Sequence, residues 1–78
     1  MENLLERITF DQRVLRGKTV IRGLRISVEM VLELLAKGST RQEILEDYPI
    51  LEPADIQAVL AYAQQLVAGE VVLDRLPV

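Results

Sequence analysis

Five cations fall within thirteen residues near the front of the chain: Arg13, Arg16, Lys18, Arg22 and Arg25. Such a cluster suits the binding of polyanions, because each phosphate neutralised releases counterions to bulk water. Inside it, Gly17-Lys18-Thr19 matches the end of a phosphate-cradling P-loop. That loop needs a further glycine five residues earlier, where Gln12 stands, and a helix after the lysine, where Val20-Ile21-Arg22-Gly23 follows. A three-residue match lacking both does not make a nucleotide site. Arg22 and Arg25 flank Gly23, which permits a close backbone approach. An arginine at such a turn either meets a ligand or bonds carbonyls of its own chain.

Covalent and acid–base chemistry lacks its usual agents. The chain has no histidine and no cysteine, so the commonest general base and the best nucleophile are missing, as are disulfides and thiolate metal sites. Ser27 and Ser39 precede helical runs and read as caps. The three acids between Arg41 and Asp47 read as a solvated helix face and not as a metal site. A chain of 78 residues also has little material with which to wall off a large pocket and keep a core. The expectation is a non-enzymatic binding module without a cofactor or metal.

The net charge of −3 is unevenly spread. Residues 1–26 carry +3 and residues 27–78 carry −6. Either the basic front meets a polyanion, or front and back attract each other within one chain or between copies. Half the residues are hydrophobic, and a small domain without staples often leans on a partner subunit, so a homodimer is expected. No apolar run approaches the roughly 20 residues of a membrane helix, and Met1-Glu2-Asn3-Leu4-Leu5-Glu6-Arg7 does not read as a secretion signal. The default expectation is a cytoplasmic protein without membrane contact.

The elements that must position these residues divide the single domain into three stretches. In residues 1–26, Ile8 and Phe10 alternate with Thr9 and Asp11, and Val20-Ile21 forms a second β-run; the pattern predicts short strands joined by a turn at Arg16-Gly17-Lys18. Such strands need helices, or another copy's strands, to stand on. Residues 27–68 predict three helices. The first is capped by Ser27, sets Val28, Val31, Leu32 and Leu35 on one face with Met30 and Leu34 as a second apolar stripe, and ends at Lys37-Gly38. The second opens with the capping box Thr40/Glu43, points Ile44 and Leu45 inward, and stops at Tyr48-Pro49. The third begins near Glu52-Pro53 with Asp55 favouring the helix dipole, and ends at Gly69. Its apolar residues form two adjoining stripes, Ile56, Val59, Leu60, Ala63 and Val67 beside Ala58, Tyr62 and Leu66. Residues 69–78 form a tail whose Val71, Val72, Leu73 and Leu76 suit a partner's groove, with Glu70–Leu73 a candidate last strand.

The fold class expected is mostly α: a three-helix, homeodomain-like helix-turn-helix bundle preceded by short β-strands. A family resemblance rests on particular strings: Arg7-Ile8-Thr9-Phe10-Asp11; the run Gly17-Lys18-Thr19-Val20-Ile21-Arg22-Gly23-Leu24-Arg25-Ile26-Ser27-Val28; Ile44-Leu45-Glu46-Asp47-Tyr48-Pro49-Ile50-Leu51; and Asp55-Ile56-Gln57-Ala58-Val59-Leu60-Ala61-Tyr62-Ala63. From Ile8 to Ala63 the chain resembles the DUF433 family of small prokaryotic domains. It departs from the family pattern at Gln12 and Thr19, where proline is usual, and at Leu24, where threonine is usual. The resemblance implies an antitoxin-like partner of a PIN-like toxin nuclease encoded by an adjacent gene, with DNA as a further ligand, and it brings no catalytic residues.

A helix-turn-helix reads bases from its second helix. Here that helix has no Arg or Lys between Pro53 and Ala68, and Glu52 and Asp55 are expected to repel phosphates at its leading end. DNA contact is therefore expected through the basic front instead, and protein contact through the tail.

Overall fold

In a computed structural model, which describes residues 3–69, the two β-runs become antiparallel strands β1 (Ile8–Phe10) and β2 (Thr19–Ile21). Their register is Ile8↔Ile21, Thr9↔Val20, Phe10↔Thr19. Three-residue strands are not stable alone. What holds them is burial: Val20 and Ile21, on opposite faces of β2, are both fully buried. The chain also folds back a second time, so that Ile21 N–H donates to the Ile26 carbonyl at 3.1 Å and Val20 bridges to Ser27. The strands thus find their partners within one chain.

The link between the strands runs from Asp11 to Lys18 and ends in a tight turn, as expected around Arg16-Gly17-Lys18 but starting one residue earlier. Leu15, Arg16 and Gly17 take successive φ values of +49°, +57° and +86°. Left-handed backbone costs an L-residue about 1 kcal/mol or more, so the first two are held there by their surroundings. A 3-10 turn over Leu4–Arg7, capped by the Asn3 side chain, precedes β1 and packs on the third helix.

The three helices are α1 (Val28–Ala36), α2 (Arg41–Asp47) and α3 (Pro53–Ala68). Their ends follow the local chemistry read from the sequence. Ser27 Oγ accepts from Met30 N–H at 3.0 Å. Gly38, at φ +102°, closes α1 in a conformation that L-residues avoid. Thr40 and Glu43 exchange side-chain and backbone bonds of 3.1 and 2.8 Å, completing the capping box. Tyr48 leaves the helical region ahead of Pro49, and Leu51 N–H bonds back to the Tyr48 carbonyl at 2.9 Å. Helices α2 and α3, with this turn between them, make the helix-turn-helix layout.

The core draws on β2 and all three helices: Ile21, Val31, Ile44, Ile56 and Val59 are at most 1% exposed. Leu45, expected inside, is half-buried at the core's edge. The stripes on α3 do not hold along its whole length. Ile56, Ala58 and Val59 are sealed, whereas Leu66 and Val67 stand 56% and 60% exposed. The tail residues Val71, Val72, Leu73 and Leu76 lie outside the described residues. No helix among the described residues is long and apolar enough to cross a membrane.

Candidate functional site

Three features have the chemistry to bind something: the basic front, the leading end of α3, and a groove beside its trailing end. Within the basic front, Arg13 bonds Asp11 through both backbone and guanidinium, with an ion pair of 3.0 Å on the open surface. The guanidinium of Arg13, aided by its backbone N–H, holds the Asp11 carboxyl below its ordinary pKa. Lys18 Nζ lies 2.6 Å from Glu29 Oε1, and this contact lowers the Glu29 pKa. Arg22 is engaged with Asp55. Arg16 and Arg25 are exposed and form no ion pair among the described residues. The attraction of front to back, one of the two readings of the charge asymmetry, therefore operates inside the chain for Lys18 and Arg22.

At the leading end of α3 the Asp55 side chain is fully buried. Its two oxygens accept from Arg22 Nε at 3.0 and 3.2 Å, Arg22 Nη2 at 2.9 Å, Arg7 Nη1 at 2.9 Å and Glu52 N–H at 2.8 Å. Burial pushes the Asp55 pKa up. The Arg22 bonds, the Glu52 N–H and Arg7 outweigh it and leave the pKa below the ordinary carboxylate value. Arg7 also reaches Glu52 at 2.7 Å, and Arg22 Nη2 donates to the Ile50 carbonyl at 2.8 Å. Among the described residues, two arginines and two carboxylates thus form a cluster that ties the hairpin to the helix-turn-helix.

Arg22 sits at φ +48° followed by Gly23 at +70°, with Leu24 N–H bonded to the Ile21 carbonyl at 2.7 Å. Two successive positive φ values define a tight reversal, and here it delivers the guanidinium to Asp55. The Gly23 N–H is taken by Thr9 Oγ1 at 2.9 Å, which fixes the turn to β1.

The picture of Glu52 and Asp55 as exposed repellers of phosphate needs correction. Asp55 is sealed from solvent, and both acids have arginine partners. A signal for this was available. Asp55 precedes Ala58 and Val59 by three and four residues, so it lies on an inward stripe of α3. A carboxylate there requires a cation, and Arg7 and Arg22 supply it. Arg7 lay outside the sequence-predicted site.

The groove lies between β2, α1 and α3 and encloses about 330 Å³. Thr19, Val28, Leu32, Tyr62 and Leu66 line its walls, and the Lys18–Glu29 ion pair stands on its rim. Sequence reading had assigned Val28, Leu32, Tyr62 and Leu66 to apolar stripes without showing that they leave a gap. Among the described residues no group of three or more acidic residues is placed to hold a metal ion.

No curated protein and no solved structure matches the chain. The family described as a protein of unknown function, DUF433, matches residues 8–63. The matched stretch includes β1 and β2, α1 and α2, Arg22 and Asp55 of the buried cluster, and the groove up to Tyr62; Leu66 and everything after it fall beyond the match. Because that stretch is well over half of its length, the chain belongs to the DUF433 family.

Proposed function

We propose that this chain is a non-enzymatic, antitoxin-like interaction module that binds and restrains a PIN-like toxin nuclease. The observation that carries a protein partner is the apolar groove beside the exposed Leu66 and Val67. Protein interfaces centre on apolar side chains within a polar rim, and the groove with its Lys18–Glu29 rim has that form. An amphipathic segment of a partner fits such a site. Val71, Val72, Leu73 and Leu76 extend the apolar character along the sequence. The choice of a toxin nuclease as partner comes from the family resemblance, and the role places the protein in the cytoplasm.

Co-expression with the product of the adjacent gene tests this reading. The two proteins should purify together and the nuclease should be silenced. Leu66→Asp should weaken the complex by about ten-fold or more, which is 1.4 kcal/mol at ten-fold. Full nuclease activity in the presence of a folded excess of this chain would sink the proposal.

A second reading is a DNA-binding regulator acting through the basic front, favoured by the exposed Arg16 and Arg25, which form no ion pair among the described residues. If it holds, removing either arginine should reduce the salt slope of binding to the gene's own upstream DNA by about one. Homodimerisation is compatible with both readings and is measured by light scattering.

A further inference from the structure

We propose that two copies of this chain pair through the outer edge of β1, antiparallel and about a two-fold axis at Thr9. The hydrogen-bond pattern of the hairpin exposes that edge. Arg22 N–H donates to the Arg7 carbonyl at 2.7 Å, so Arg7 and, two residues on, Thr9 turn their backbone groups toward β2. Ile8 and Phe10 turn theirs away. Two further bonds agree. Ile8 N–H donates to the Leu5 carbonyl instead of to β2, and Ile21, which stands opposite Ile8, donates to the Ile26 carbonyl on the far side of β2. The Ile8 carbonyl and the Phe10 N–H are left without a hydrogen-bond partner among the described residues.

Such an edge is a template for a further strand, and this one is complementary to itself. In an antiparallel pair centred on Thr9, Phe10 of each copy falls opposite Ile8 of the other, and each Phe10 N–H meets an Ile8 carbonyl. The Ile8 N–H, already spent on Leu5, is not called upon. Two marginal hairpins become one four-stranded sheet, closed by a two-fold axis.

Side chains and charges follow the same register. Ile8 and Phe10 lie on one face of β1, and Ile8 packs against the core. Phe10, at 67%, is the most exposed large apolar side chain among the described residues. In the pair each Phe10 ring covers Ile8 of the other copy and leaves water. Asp11 of one copy comes opposite Arg7 of the other, and the exposed Arg13 comes beside Glu6, which is exposed and forms no ion pair among the described residues. Acid thus meets base at both ends of the paired strands. The inference depends on neither functional reading above, because it is measured on the isolated chain.

Light scattering and sedimentation of the full chain over a concentration series should show a dimer. Phe10→Pro removes the outward N–H and the ring but no bond to β2, and proline is tolerated on an edge strand in this orientation. It should weaken the dimer by about ten-fold or more. Ile50→Ser, at a comparably exposed apolar side chain away from β1, should leave it unchanged. A chain that stays monomeric throughout overturns the inference. So does a dimer that Phe10→Pro leaves intact, since another surface then holds it. Should Phe10→Pro fail to fold, a mixture of isotope-labelled and unlabelled copies of the unsubstituted chain answers by filtered NMR. Contacts between the Phe10 ring of one copy and the Ile8 methyls of the other are expected, and a dimer without them overturns the inference.

Discussion

The two ends of α3 solve the same problem in opposite ways. At the leading end a carboxylate is taken wholly out of water and given five hydrogen bonds, four of them from two arginines. At the trailing end Leu66 and Val67 are left largely in water beside an apolar groove. The difference is one of satisfaction. A buried charge is tolerable only with every partner in place, and that requirement locks the hairpin, the helix-turn-helix turn and α3 into one arrangement. Exposed apolar side chains impose no such geometry. The leading end is thereby suited to holding the fold and the trailing end to contact.

The largest effect should come from breaking the locked end. Asp55→Ala takes the shared acceptor from Arg7 and Arg22, leaving them Glu52 and the Ile50 carbonyl, and should cost about 3 kcal/mol, the lower end of the range for breaking a buried ion pair. For a domain of this size that is most of the stability, and thermal melts followed by circular dichroism should show it. If the variant melts within a few degrees of the parent, the cluster is not what joins the hairpin to α3.

Next in size is the contrast between two truncations on the one helix. Ile56→Ala, at a fully buried site, should cost about 2–5 kcal/mol in denaturant unfolding. Leu66→Ala, more than half exposed, should stay below about 1 kcal/mol. Comparable losses would mean that the trailing end is as tightly built as the leading one.

The cluster also predicts the acid limb of stability. The folded-state pKa of Asp55 is depressed, so its contribution is fully present above the unfolded carboxylate value of about 3.9 and is lost as pH falls through the lower, folded value. Stability should drop below about pH 4, more steeply than in an Asp55→Asn variant that still folds. An unchanged acid limb in that variant would assign the titration to other carboxylates. The smallest effect is expected at a cap: Thr40→Ala should remove about 1 kcal/mol by freeing the Glu43 N–H, with no change at either end of α3.

How much of this was legible beforehand follows from the range of the interactions. The caps at Ser27 and Thr40, the left-handed stop at Gly38 and the proline start of α3 were all readable, because each involves residues within four positions of one another. The two strands were readable from alternation and β-branching, but whether they pair within the chain or with another copy was not; the fold decides it by closing the link from Asp11 to Lys18 into a hairpin. Arg22 at its glycine turn was recognised as either a ligand contact or a binder of its own carbonyls; it bonds the Ile50 carbonyl and, beyond that, Asp55.

Local chemistry by itself therefore determined the element order, the helix ends and the mostly helical class. It also set the charge asymmetry between front and back. Tertiary structure alone decided which cations remain exposed and without an ion pair among the described residues, and which acids are hidden. Arg7 and Asp55 are 48 positions apart, and no spacing rule connects them. It also decided where the core stops. The stripes on α3 run unbroken in sequence through Val67, but only its leading part is buried. Burial depends on what other elements reach a side chain, and a periodic pattern records only that the side chain is fit to be reached.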